Sequence, residues 1–176
     1  LLVLAVITTY VWLVYFTPGI LMSLVLCSAL GIEFAAIGFN VMHDGLHGSF
    51  SRYKWVNELA GLSLNFLGAN NFMWKSKHNI IHHTYTNIEG IDDDIEAKPL
   101  LRLCETQKYY KIHRFQHWYF WFAYSLLYIW WVFFTDYKKY FSGKIGSTPL
   151  TKMKTGEHIS FWGFKLLHAF LFMALP

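Results

Sequence analysis

The stretch "LLVLAVITTYVWLVYF", residues 1–16, contains no charged side chain, and "ILMSLVLCSALGIEFAAIGF", residues 20–39, contains one, Glu33. Runs of this kind offer no polar face to water, so they must lie in a large core or in a bilayer. At about 1.5 Å per residue the first covers roughly 24 Å and the second about 30 Å, against a hydrocarbon core of about 30 Å. Between them "TPG" (Thr17 to Gly19) is a turn signal, so the two runs form a helical hairpin. A signal peptide is the other reading of the first run, but a basic n-region and a small-residue cleavage site are absent. The first run lacks a starting Met and a polar cap and reads as a helix cut at its front. "FWGFKLLHAFLFMALP", residues 161–176, begins another apolar helix and stops within it. The expectation is an internal piece of one longer membrane domain, with spans at about 1–16 and 20–39 and the start of another at 161–176.

Composition agrees with lipid rather than water as the surrounding medium. Of the 176 residues only 15% are charged while 55% are hydrophobic, against about 25% charged in soluble domains. None of the Lys and Arg residues precedes His43, whereas residues 40–116 carry nine, which predicts that this segment is cytoplasmic. These bases stand beside apolar spans, which excludes a nucleic-acid partner. Cys27 and Cys104 cannot build a disulfide framework and read as free thiols. Residues 55–74 read as an amphipathic helix at the interface, with Trp55 and Trp74 at its ends. Residues 118–135 are long enough to span if tilted, but Lys138, Lys139, Lys144, Lys152 and Lys154 follow, and crossing and re-entrant courses both stay open. The expected fold is therefore all-α and integral to the membrane: a helical hairpin plus interfacial helices.

Against that background the histidines stand out. Random placement of nine would give about 0.5 pairs at the i,i+4 spacing, yet the chain has three: His43/His47, His78/His82 and His113/His117. Four residues return a side chain to nearly the same helical face, so two such imidazoles can share an ion or flank a pair of ions. His83 lies about 100° around from His82 and can reach a second metal. Glu33, Asn40, His43 and His47 make a polar stripe, and Asp44 and Asn40 are candidates to orient an imidazole through its second nitrogen. Asn87, Asp92 and Asp94 after the second cluster have the same candidate role, while Glu89 and Asp93 read as solvated. His113 and His117 read as headgroup contacts, and the lone His158 and His168 as structural.

A structural zinc site would be tetrahedral and rich in cysteine, which this chain does not supply. The five histidines 43, 47, 78, 82 and 83 exceed the need of one tetrahedral ion and fall short of two six-coordinate ones. A di-iron site completed by ligands elsewhere fits that count best.

"HDGLHGSFS" and "WKSKHNIIHHTYTNIEGIDDDI" closely resemble the first two histidine boxes, HxxxH and HxxxHH, of the membrane fatty-acid desaturases, and most nearly the front-end, linoleoyl-CoA delta-6-like type. The likeness extends through Trp74, Lys75, Asn79, Thr84, Thr86, Asn87, Gly90, Asp92 and Asp94, and to "KIHRFQH" and "DYKKYFSGKIG". The family's third box, (H/Q)xxHH, does not occur in these 176 residues, so this piece alone is expected to be inactive. The resemblance implies an oxidoreductase, an acyl-CoA or acyl-lipid desaturase of EC 1.14.19 type. It implies two non-haem iron ions held by His43, His47, His78, His82 and His83 on the cytoplasmic side, O2, and an external electron donor of cytochrome b5 or ferredoxin type. Its partners would be a fatty acyl substrate, that electron-transfer protein and the lipid membrane. The bacterial inner membrane is the first expectation for its location and the endoplasmic reticulum the second. Lys54, Lys75, Lys77, Arg102 and Arg114 are candidates near the substrate's polar end. The runner-up within enzymes is a histidine-box membrane hydroxylase, and outside enzymes a metal-handling membrane transporter, which would set its ligands at midplane depth rather than at span ends.

Overall fold

A computed structural model describes residues 1–16 and 19–176. The expected turn at Thr17 and Pro18 falls outside the described residues. The chain is mostly helical and divides into two compact units, Leu1–Asn71 with Ile159–Pro176, and Phe72–His158.

In the first unit, helix Leu2–Tyr15 packs against a second helix that starts at Ile20. The second helix does not end near residue 39 as expected. It runs without a break from Ile20 to His47, 28 residues, and carries the first histidine box on its last turns. The run passes through one wide turn, Gly38–Met42, in which the backbone bonds i to i+5. It ends at Gly48, whose φ of 75° supplies the left-handed cap that a side chain would disfavour. Among the described residues this is the one helix long and apolar enough to cross a membrane; Leu2–Tyr15 is shorter. Both present apolar side chains all round, with Leu21 76% and Ile32 71% exposed, as a lipid-facing surface requires. A polar link joins them: Thr9 Oγ1 donates to Glu33 Oε1 at 2.9 Å.

Helix Lys54–Phe66 crosses the His43–His47 turns at very close range. A Cβ on Gly45 would lie 2.7 Å from Ala60 Cβ and 2.7 Å from the Gly61 nitrogen. Asn57 ties the intervening loop: its Oδ1 accepts from the Ser51 amide at 2.7 Å, and its Nδ2 donates to the Gly48 and Ser51 carbonyls. Because the atoms facing Gly45 include backbone, Gly45→Ala must push the helices apart. It is expected to cost about 1–3 kcal/mol, seen as a lower unfolding midpoint of the detergent-solubilised protein.

The helix expected across residues 55–74 is in fact two pieces, Lys54–Phe66 and one beginning at Asn71. Gly68, at φ 93°, turns the chain between them. The carbonyls freed there find partners on helix Thr155–Ala169: Lys165 Nζ donates to Gly68 O at 2.7 Å, and His168 Nδ1 to Phe66 O at 3.0 Å. His168 is thus structural, as its isolation in the sequence suggests. That helix continues through Phe170–Ala174, and Phe172 meets Tyr10 and Phe34 edge-on at 5.3 and 5.5 Å.

The second unit holds a long helical run, Gln116–Trp130, Trp131–Thr135 and Asp136–Ser142. This run covers residues 118–135 but falls below the hydropathy of a span, because much of it is Trp and Tyr. A two-stranded antiparallel hairpin follows, Lys144–Ile145 paired with Thr148–Pro149, a small departure from the all-α expectation. Ala97, Leu101 and Ala123 form a core with Leu103, Tyr119, Phe120 and Leu127. His113 is buried beside it. Its Nε2 donates to Pro99 O at 2.9 Å and its Nδ1 accepts from the Tyr110 amide at 3.2 Å. Both ring nitrogens are committed, so the headgroup contact expected of His113 is replaced by a structural role.

Candidate metal centre

The first box lies in the first unit. His43 and His47 sit one helical turn apart, with ring centroids 4.5 Å apart. Asp44 Oδ1 lies 3.2 Å from His43 Nδ1, within reach of the orienting bond that the sequence suggests for it. Asn40 does something else: exposed, it donates to Ala36 O at 2.9 Å on its own helix. An amide four residues from a free carbonyl finds it before any imidazole, so Asn40 is set aside as a histidine partner.

The second box is built on the helix Asn71–Trp74 that widens into an i to i+5 segment, Lys75–His82. Trp74, His78 and His82 stack along one face, with centroid spacings of 4.4 and 5.0 Å and rings within 28° and 13° of parallel. Trp74 is therefore buried against His78 and does not anchor the end of an interfacial helix. The exposed His83 comes off the side, its ring 4.9 Å from that of His78 and nearly perpendicular to it.

Ten residues on, a short turn opposes this face. Asp92 caps the 3-10 turn Asp93–Ile95, its Oδ1 accepting from the Asp94 amide at 3.0 Å. Its Oδ2 meets His82 Nδ1 at 2.9 Å and also accepts from the Asn87 amide at 2.8 Å. Asn87, at φ 62°, thus contributes its backbone amide to Asp92 rather than its side chain to a histidine. Asp94 Oδ2 meets His78 Nδ1 at 2.7 Å. An ionised carboxylate can only accept, so each carboxylate is met by a proton on Nδ1, and Nε2 is the ring nitrogen turned away from it.

Charge holds this arrangement. Burial alone would raise the Asp94 carboxyl, but the His78 hydrogen bond and the adjacent Lys77 ammonium outweigh it and hold it well below the usual carboxylate range. Asp94 therefore stays ionised through neutral pH. Lys77 lies over the Trp131 ring at 5.4 Å besides pairing with Asp94, so it is spent inside the site rather than offered to a substrate's polar end. Arg102 is likewise occupied, its Nε donating to Gln107 O at 2.8 Å.

Asp93 departs from its expected solvated role. It accepts from the buried Lys139 Nζ at 2.5 Å. Glu89 pairs with Lys98 at 3.0 Å, and that hydrogen bond draws its carboxyl below the ordinary value. The sequence does carry a signal for Lys139, the "DYKKY" run, but nothing in one dimension says which lysine turns inward.

The donor set fits a metal. His78, His82 and Asp94 bring three possible ligand atoms within 4.8 Å of one another. With both Nδ1 atoms engaged by carboxylates, the Nε2 atoms are the ones left for a metal to take, an arrangement common to histidine-bound metals. Neutral imidazole suits iron, copper, zinc or nickel alike.

Comparison with known proteins narrows the choice. Residues 12–175 match the fatty acid desaturase family model. A sn-1 linoleoyl-lipid 6-desaturase of Arthrospira platensis is 44% identical over 119 residues, 67% of this chain and 32% of that protein. An acyl-lipid (8-3)-desaturase of Physcomitrium patens is 34% identical over 92% of this chain and 34% of its own length. A sn-1 linoleoyl-lipid 6-desaturase of Synechocystis is 34% identical over 93% of this chain and 46% of its own length. The chain thus spans from 32% to 46% of the length of these relatives. No solved structure matches it. Histidine boxes, helical architecture and the match along nearly the whole chain lead to one conclusion: this chain belongs to the fatty acid desaturase family.

Proposed function

We propose that the whole protein introduces a double bond into an acyl chain carried on a membrane lipid, using two iron ions and O2. The observation that carries this is the paired second box, where His78 and His82 each keep Nε2 for a metal while Asp94 and Asp92 hold Nδ1. His43, His47 and His83, with ligands from beyond these residues, complete the proposed set. Asp44 beside His43 would serve that ring as Asp94 serves His78. The acyl-lipid substrate class is supported by the similarity to the linoleoyl-lipid desaturases of Arthrospira and Synechocystis.

Bound iron would supply the oxidising power, drawn from O2, that removes two hydrogens from adjacent CH2 groups. The balance is one CH2–CH2 unit of the acyl chain, one O2, two electrons and two protons in, and one double bond and two waters out. An external carrier of cytochrome b5 or ferredoxin type must deliver the electrons. The chain's own residues position and insulate. Asp92 and Asp94 fix ring tautomer and direction, and Trp74 stacked on His78 keeps the ring from rotating. The apolar helices give the acyl chain a water-free approach. Membrane insertion with both boxes on the cytoplasmic side is proposed from the nine bases in residues 40–116.

The test is metal analysis of the active, purified protein together with lipid mass spectrometry of expressing cells. Iron and a product lighter by two hydrogens support desaturation. A main product heavier by one oxygen transfers the reading to a hydroxylase. Zinc without iron, and no lipid product, points to metal handling instead.

A further inference from the structure

Resting on that metal reading, we infer that Lys139 is a positioning residue for the second histidine box, acting through Asp93. Three consecutive carboxylates occupy the turn at residues 92–94, and each faces a different partner. Asp92 takes His82, Asp94 takes His78 and Lys77, and Asp93 takes Lys139. Successive side chains on so short a turn are rigidly related, so fixing the middle one fixes the angle at which its neighbours meet the imidazoles. Left alone, three adjacent carboxylates repel, and the turn would open toward water. The Lys139 ammonium offsets that repulsion from the outer side, as Lys77 does at Asp94.

The pair is built to hold. Lys139 is 8% exposed and Asp93 Oδ2 lies 2.5 Å from its Nζ, so this is not a solvent-screened surface contact. The lysine is delivered by helix Asp136–Ser142, whose base is locked by the fully buried Asp136 accepting from Trp131 Nε1 at 3.0 Å. Trp131 is also the ring beneath Lys77. The hairpin after that helix touches the same loop again, Ser147 Oγ donating to Gly90 O at 3.4 Å. Helix and hairpin together brace the acidic turn and the loop that leads into it.

The test uses the full-length protein loaded with ferrous iron, measuring the rate at which a chelator removes the metal. Lys139→Met and Asp93→Asn are each expected to speed iron loss about tenfold, the low end of the roughly 10–100-fold effect of losing a direct partner of a metal ligand, because they act one step further out. Lys139→Arg, which keeps the charge and a donor, should restore slow loss. The double variant Lys139→Met/Asp93→Asn should be no faster than either single, since the two act as one unit. Additive effects, or chelation as slow as wild type in Asp93→Asn, would overturn the inference. If Lys139→Met does not fold, Asp93→Asn, at the more accessible end of the pair, decides alone. His82→Ala in the same assay separates the two levels. If it holds iron as wild type does, the metal reading itself fails. If it loses iron while Lys139→Met and Asp93→Asn do not, only the positioning role of Lys139 fails.

Discussion

His82→Ala is expected to reduce the desaturated product below detection in cells expressing the whole protein. On the proposed reading the imidazole supplies a ligand, and it is one end of the bond to Asp92. Removing it withdraws a metal ligand and leaves a carboxylate with no exposed surface and without its imidazole partner. Water can fill the space but cannot reproduce a nitrogen donor held in place by a buried acid. The loss should therefore exceed the roughly 10–100-fold effect typical of outer partners. His168→Ala is the matched control. It removes one bond to the Phe66 carbonyl, worth about 1 kcal/mol of stability, and should leave product per folded molecule nearly unchanged. Lipid mass spectrometry normalised to folded protein reads both, and equal losses would show that the ligand assignment is wrong.

Asp92→Ala is the second large effect, and it should act on metal and fold together. Asp92 is completely buried and its two oxygens serve three groups: His82 Nδ1, the Asn87 amide and the Asp94 amide. Alanine leaves both amides without their acceptor, at about 1–3 kcal/mol for each that stays buried, and frees the His82 ring to turn. Asp92→Asn keeps the shape and one acceptor oxygen but drops the charge. It should retain most of the unfolding midpoint while still weakening metal retention by about 10–100-fold. Measuring midpoint and bound iron on both variants separates the structural share from the electrostatic one. An asparagine variant that binds iron as tightly as wild type would remove Asp92 from the orienting role.

Much of this molecule can be read along the line of residues. Nearly charge-free runs force the first two helices, because a chain with so few polar side chains has no other stable way to satisfy its backbone in lipid. The i,i+4 histidines at 43/47 and 78/82 are legible for a similarly local reason: helical geometry alone stacks them. The closeness of Asp92 and Asp94 to the second box is visible too, since only a short loop separates them. Which acid serves which ring is not, and it took the capped turn at Asp92 to distribute the three carboxylates.

Tertiary structure decided the rest, and in each case through partners distant in sequence. Nothing local tells that Asp93 is paired, because its lysine lies 46 residues away on another helix. Asn40 and Asn87 read as histidine partners by proximity, yet the Asn40 side chain binds a carbonyl one turn back and Asn87 gives its backbone amide to a carboxylate across the loop. His113 reads as a headgroup contact from its interfacial setting but is drawn into the core by the Pro99 carbonyl. The break after Phe66 depends on Lys165 and His168, about a hundred residues on, to satisfy carbonyls that a continuous helix would have used itself. Periodicity reports where a side chain points on its own element, and only packing supplies the charge or carbonyl that it meets there.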